Sequence, residues 1–290
     1  MIVFLNGKFF DSKQAKVSAF DHGFLYADGV YETLRTYGGR VWQSGEHLKR
    51  LRNSAGMIGL SLPWSLKQIE AWINGTVVKN GFKESRIRVT VTRGENGFDF
   101  GPAKKPTICI QVQKLIEQPA SVYKRGVKVV SFEGERLLPE AKTLNLLPMV
   151  LAQQFMLKKK AYEALFVDAK GRGGERALVR EGTVTNVFMV KNGVLMTPGK
   201  NILAGTTRDA VLKVARRLGL QMKVGDIQLR DLYEADEVFL TNAPRGIVPV
   251  CQVDGKKIGE RSGTNGGCPG KITKKLIKAF DDYVRAAFGV

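Results

Sequence analysis

Four short stretches of this chain combine residue types that could grip or activate an anion-bearing ligand. Residues 203–208, Leu-Ala-Gly-Thr-Thr-Arg, enter a predicted helix. The first amides of a helix lack partners inside it and lie at the positive end of its dipole, so a phosphate is favoured there. Thr206 as a plain helix cap is the competing reading, and taken alone the better one. Arg50, in His47-Leu48-Lys49-Arg50-Leu51 near the start of another predicted helix, offers a two-pronged donor to phosphate, or is an ordinary surface residue. Glu181, in the small polar run 181–186 before an apolar strand, could serve a heterocycle nitrogen or simply belong to a loop. Thr241-Asn242-Ala243, at the exit of a predicted strand, is a further place where backbone N–H groups could hold an anion. Singly, none of these decides anything.

The elements that must position them follow from periodicity and punctuation. Residues 2–5 and 8–10 flank Asn6-Gly7, a tight-turn pair, and 33–37 and 40–42 flank Gly38-Gly39; both read as hairpins. Residues 20–29, rich in Asp and Gly, read as irregular. A helix starts at about residue 46, with Leu48, Leu51, Ala55 and Ile58 on one face. A second runs from the cap Ser65 to Gly81. Strands are expected at 86–92 and 107–112, and the former alternates basic or polar with apolar residues. Residues 115–123, with Pro119, make the best linker. Beyond it come strands at 127–132, 164–168 and 237–241, a hairpin across Asn192-Gly193, and helices at 146–160, 206–218 and 271–288. The organisation expected is α+β in two domains: a small N-terminal domain at 1–117, a linker at 118–123 and a larger domain at 124–290.

Composition narrows the classes. A chain of 290 residues with 43% hydrophobic and 25% charged residues suits a soluble globular protein. No apolar run reaches a membrane span, and the N-terminus lacks the pattern of a secretion signal. Cys109, Cys251 and Cys268 are widely spaced with no CxxC pair, which argues against disulfides or a zinc site and fits a reducing, cytoplasmic compartment. Only His22 and His47 are available, so no metal centre is expected. His22 is expected to orient backbone in a turn and His47 to pack or support its neighbours, while Trp42, Trp64 and Trp72 read as core or interface. The net charge of +19 is spread along the chain without a nucleic-acid-binding motif, so a lysine-rich solvated surface is favoured over nucleic-acid binding.

Order and combination carry more than any single stretch. FDHGFLYADGVYETLR at 20–35 is followed by HLKRL at 47–51 and KTLNLL at 142–147. EGTVTNVF at 181–188, GTTR at 205–208 and VFLTNAPRGIVPV at 238–250 complete the set. In this order they resemble the motifs of the fold-type IV (class IV) pyridoxal-phosphate (PLP) dependent aminotransferases, from the first hairpin to about residue 250. The resemblance implies a small N-terminal α/β domain, a larger C-terminal domain with a mixed or barrel-like sheet, and a homodimer. It implies Lys142 as the Schiff-base lysine that shuttles a proton between Cα and C4′; neither composition nor spacing singles this lysine out. Glu181 would pair with the pyridine nitrogen. Arg50, Thr206, Thr207, Thr241 and Asn242 would bind the cofactor, chiefly its phosphate. Tyr31 and Ala243 would line the substrate pocket, with Arg35 and Arg88 ranked ahead of Arg93 and Arg245 for the substrate carboxylate.

The resemblance spans several activities. Lys-Thr-Leu-Asn at 142–145 looks like the D-amino-acid and aminodeoxychorismate lyase branches, and Leu146-Leu147 replaces the Asn-Tyr usual in the branched-chain enzymes. Residues 92–100 lack the Arg-x-His carboxylate trap of the D-amino-acid enzymes. The expectation is an aminotransferase acting between an amino acid, branched-chain or D-type, and a 2-oxo acid. The alternative is a lyase that releases pyruvate and 4-aminobenzoate.

Overall fold

The computed structural model describes residues 1–101, 105–168, 174–259 and 267–289. The chain divides into two compact units, Met1–Ile116 with Glu140–Leu146, and Glu117–Pro139 with Leu147–Val290.

The first unit is an antiparallel sheet with helices on one face. β1 (Ile2–Leu5) and β2 (Lys8–Asp11) meet across Asn6 and Gly7, both at positive φ, as the tight turn requires. α1 (His22–Tyr26) follows, then β3 (Gly29–Tyr37), β4 (Arg40–Val41), α2 (Ser44–Met57), α3 (Leu66–Asn80), β5 (Ser85–Thr92) and β6 (Thr107–Lys114). The sheet order is β2-β1-β6-β5-β3-β4. Period-two alternation sends Val30, Leu34, Ile87, Val89, Ile108 and Ile110 into a core shared with Leu48, Leu51, Ile69 and Ile73 of α2 and α3. Tyr31, Thr33 and Arg35 therefore face the other way. Helix α3 obeys its punctuation: Ser65 and Gln68 form a reciprocal capping box, and Gly81 closes the helix in the left-handed conformation.

Two features depart from the sequence reading here. The stretch expected to be irregular contains α1, whose cap Asp21 accepts from Gly23 N–H and from the Thr92 hydroxyl. Residues 140–146, expected in the second domain, belong to the first unit. The reason is an open edge: β4 pairs with β3 only at Thr36 and Tyr37, so the backbone of 29–31 needs another partner. Tyr31 N–H donates to Lys142 O and Leu144 N–H to Gly29 O, each at 2.9 Å, around a bridge between Val30 and Thr143.

The second unit opens with α4 (Ala120–Arg125), which overlaps the stretch expected to be linker and runs two residues past it, and β7 (Val127–Glu133). Next come α5 (Leu147–Lys158), β8 (Glu163–Asp168), β9 (Leu178–Gly182), β10 (Asn186–Lys191), β11 (Val194–Thr197), α6 (Thr206–Arg217), β12 (Met222–Val224), α7 (Leu229–Tyr233), β13 (Glu237–Asn242), β14 (Gly246–Val253), β15 (Lys256–Lys257) and α8 (Lys271–Phe288). Among the described residues, nine strands form one mixed sheet, β12-β11-β10-β13-β14-β7-β8-β9, with β15 on β14. β7 runs parallel to both β8 and β14, whereas the β8–β9, β10–β13 and β13–β14 pairs are antiparallel. Its core draws Leu165, Val187, Leu240, Val248 and Val250 together with Leu229 and Leu232 of α7. The α+β, two-part architecture with a mixed sheet is the one expected.

Candidate active site

In the first unit, the segment paired to β3 carries Lys142. Its backbone is held on both sides, the carbonyl by Tyr31 N–H and the N–H by the hydroxyl of Ser54 on α2 at 3.0 Å. Its Nζ lies 4.5 Å from the centre of the Tyr31 ring, and the Arg88 guanidinium lies 3.9 Å from the same centre. Lys142, Tyr31 and Arg88 thus form one cluster on the sheet face away from the helices. Partial burial moves the Arg88 guanidinium below its ordinary pKa, and Tyr31 offsets part of that shift. Close approach at the start of β3 demands Gly29. A Cβ there would fall 2.5 Å from Val91 O and 2.7 Å from the Leu144 side chain. Arg35 lies apart from this cluster: its Nε donates to Thr36 O and its guanidinium stacks 3.9 Å over Tyr37.

On the helix face of the same strand, Glu32 is wholly buried and accepts two bonds from Arg50, Nε to Oε1 and Nη2 to Oε2, each 2.7 Å. His47 Nδ1 lies 2.7 Å from Glu32 Oε2. Burial drives the Glu32 carboxyl upward, but Arg50 and His47 outweigh it and hold it well below the usual carboxylate range. Burial lowers His47, so the ring is neutral near pH 7 and its Nδ1–H donates to Glu32. Arg50 is therefore aimed by Glu32, a residue the sequence reading passed over. A carboxylate in core phase between Val30 and Leu34 was the available signal, because such a group needs a cation.

In the second unit, Glu181 is not in a loop but on β9, buried. Arg136 Nη1 donates to its Oε1 at 2.5 Å, and Leu203 N–H to its Oε2 at 3.0 Å. Asn186 Nδ2 reaches Oε2 at 3.4 Å and donates to Leu203 O at 2.9 Å. Asn186 is the register partner of Thr241 on β13, whose hydroxyl oxygen is buried without a hydrogen-bond partner. The cap of α6 is Gly205, not Thr206, and it makes no side-chain cap bond, so the competing capping role for Thr206 does not hold. A Cβ on Gly205 would overlap Asn186 Oδ1. Thr206 and Thr207 are buried in the first turn, while Arg208 turns to Pro198 O and the Thr197 hydroxyl. Glu181, Asn186, Thr241 and the α6 N-terminus thus share one locale. Asn242 and Ala243 begin the turn into β14, where Asn242 Oδ1 accepts from Arg245 N–H. The Arg245 guanidinium lies 5.1 Å over Tyr162. Arg136 and Asn186 were not picked out beforehand, and no spacing signalled Arg136.

The mixed sheet thus carries a buried, hydrogen-bonded glutamate near the start of α6, and the antiparallel sheet of the first unit carries a lysine whose backbone is held on both sides. Residues 29–253 match the amino-transferase class IV family, and the chain belongs to it. It is 39% identical over 300 residues to a putative branched-chain-amino-acid aminotransferase of Methanocaldococcus jannaschii, covering all of this chain and 98% of that one. It is 32% identical to a D-alanine aminotransferase of Staphylococcus aureus, covering 98% of each. The branched-chain amino acid aminotransferase of T.th., solved with N-(5′-phosphopyridoxyl)-L-glutamate, superposes with a TM-score of 0.88 at 26% identity, over 98% of this chain and 94% of that one. The protein is an aminotransferase, and these likenesses favour that activity over the lyase alternative.

Proposed function

We propose that this aminotransferase uses PLP and exchanges amino groups between an L-amino acid with a branched apolar side chain and a 2-oxo acid. The residues present fit that cofactor. A buried hydroxyl without a partner on Thr241, the start of α6, whose cap Gly205 makes no side-chain bond, and the buried Thr206 and Thr207 are a donor set suited to a phosphate monoester. In the first unit, Arg50, aimed by Glu32, offers a guanidinium suited to a phosphate. Glu181, kept in place by Arg136, Leu203 N–H and Asn186, would hold the proton of the pyridine nitrogen. When bound, PLP supplies an electron sink for the charge left on the substrate Cα. Lys142 Nζ would carry the proton between that Cα and C4′, which requires the unprotonated amine.

The observation that carries the reading is the shared Tyr31 ring, with the Lys142 amine and the Arg88 guanidinium both on it. It favours Arg88 over Arg35 as the partner of a substrate carboxylate, with Tyr31 beside it. The branched-chain preference is supported by the 39% identical relative and by the absence of an Arg-x-His trap at 92–100. We place the enzyme in the cytoplasm as a homodimer; the exposed aromatics Phe20, Phe24, Phe98 and Phe100, which a second copy would cover, support the dimer, and sedimentation of the purified protein measures it.

The test is to add PLP, remove the excess, reduce with borohydride and locate the phosphopyridoxyl mass by peptide mass spectrometry. Label on Lys142, visible absorbance lost in Lys142→Ala, and bleaching by L-leucine, L-valine or L-isoleucine without an acceptor are expected. Bleaching by D-alanine alone would overturn the branched-chain assignment. Absorbance that no amino acid changes would overturn transamination.

A further inference from the structure

We infer that Ser54 is a positioning residue for the reactive lysine, and that α2 acts as a common rail for the lysine and the phosphate-directed arginine. This rests on the assignment of Lys142 proposed above.

His47, Arg50 and Ser54 are spaced three and four residues apart, which places them in one stripe along α2. The lower part of this stripe grips Glu32 on β3. The upper part ends in Ser54, 1% exposed, whose hydroxyl accepts from the Lys142 backbone N–H at 3.0 Å. The opposite side of that residue is held by Tyr31 N–H, and the next pairing in the segment is Leu144 N–H to Gly29 O. Without Ser54 the Lys142 segment keeps its ladder to β3 but loses the contact that fixes its height above α2. From Arg50 to Ser54 the helix rises about 6 Å. A single rigid element therefore sets the spacing between the guanidinium and the lysine backbone. The lysine side chain has four rotatable bonds, so backbone placement and the Tyr31 ring determine where Nζ stands.

A serine that only helped the fold would lower stability and leave the chemistry of the remaining folded enzyme intact. A positioning serine acts on the lysine. The experiment compares wild type, Ser54→Ala and Ser54→Thr as PLP-loaded enzymes. The readouts are kcat and KM separately, the pH profile of kcat, and the rate of borohydride-trapped label on Lys142. Lysine reactivity toward acetic anhydride is also read peptide by peptide in the PLP-free protein. Misplacement of a reacting group by about 1 Å costs roughly 100-fold in rate. We therefore expect Ser54→Ala to lose on the order of 10- to 100-fold in kcat with KM changed less than about threefold. Lys142 acetylation should be altered while other lysines are unaffected, and Ser54→Thr, which keeps the hydroxyl, should recover most of the rate. If Ser54→Ala does not fold, Ser54→Cys replaces it, since the thiol keeps the volume and is a weaker acceptor. A folded variant with wild-type kcat, trapping rate and Lys142 acetylation overturns the inference. Wild-type label on a different lysine overturns the Lys142 assignment instead, and the inference with it.

Discussion

Glu32 offers the sharpest test of how the first unit is held together. Its carboxylate is wholly buried and accepts three bonds of 2.7 Å, two from Arg50 and one from His47, whose side chain is 1% exposed. Glu32→Gln keeps the volume, removes the charge and turns an N–H₂ toward donors that need an acceptor. Breaking a buried pair by neutralising one partner costs about 3–5 kcal/mol, because the other charge stays behind. The Arg50 side chain is 13% exposed and so partly relieved by water, which places the expectation at the lower end, about 3 kcal/mol. All three tryptophans, Trp42, Trp64 and Trp72, belong to this unit, so tryptophan fluorescence in a urea titration reads its unfolding without interference from the other unit. The pH dependence supplies a second signature. A carboxyl depressed in the folded state contributes stability that is complete above its unfolded value and is lost as pH falls. With an ordinary value of 4.5, the wild type should weaken progressively below about pH 5, and Glu32→Gln should lack that component. A loss under about 1 kcal/mol at neutral pH, or an acid limb identical in the two proteins, would mean that desolvation cancels the pairing and would refute this account.

Three further outcomes follow from single contacts. Gly29→Ala puts a methyl 2.5 Å from Val91 O and 2.7 Å from Leu144, and should cost about 1–3 kcal/mol in the fluorescence titration and lower kcat by shifting the Lys142 segment. Gly205→Ala must expel Asn186 from its bonds to Leu203 O and Glu181; dialysis against buffer should strip PLP from it faster than from the wild type, with about 1–3 kcal/mol lost in stability. Glu163 is buried among the Thr183 and Thr185 hydroxyls and the Ala164 and Thr183 amides, and burial raises its carboxyl. A raised carboxyl gives stability that is full below its unfolded value and lost as pH climbs through the folded one. The thermal midpoint of Glu163→Gln should therefore fall less than that of wild type as the pH is raised above about 5.

The legible parts of the molecule were those whose signal is local. Ser65, Gln68 and Gly81 write the ends of α3 in neighbouring residues, and Asn6-Gly7 does the same for the first hairpin. Helix α1 was missed because five residues carry no periodicity, and its start depends on Asp21 reaching Thr92, 71 residues away. Strand β9 was missed for an electrostatic reason. Arg180, Glu181 and Gly182 look like a turn, yet ion pairs to Asp168 and Arg136 make both charges acceptable in a buried strand. Among the candidate residues, the ordered motifs pointed to Arg50, Lys142, Glu181 and the α6 loop, but not to the residues that hold them within each unit. Glu32 lay in an apolar strand, Ser54 in a helix where serine is unremarkable, and Arg136 in an irregular stretch. Their roles exist only after distant segments meet.

The placement of 140–146 has a consequence for the history of the molecule as it folds. Ser54 and the lysine it holds are 88 residues apart, and closing a loop of that length costs about 4 kcal/mol beyond the constant term. A ribosome that has released only the first unit's contiguous part, Met1–Ile116, has made the strand, the helix and the arginine, but not the lysine. The sheet edge at 29–31 then waits, unpaired, until later chain returns to it. Such an edge is a template for any passing strand. The nascent protein is most exposed to mispairing in that interval, and a fragment cut at Ile116 would carry the same open edge permanently.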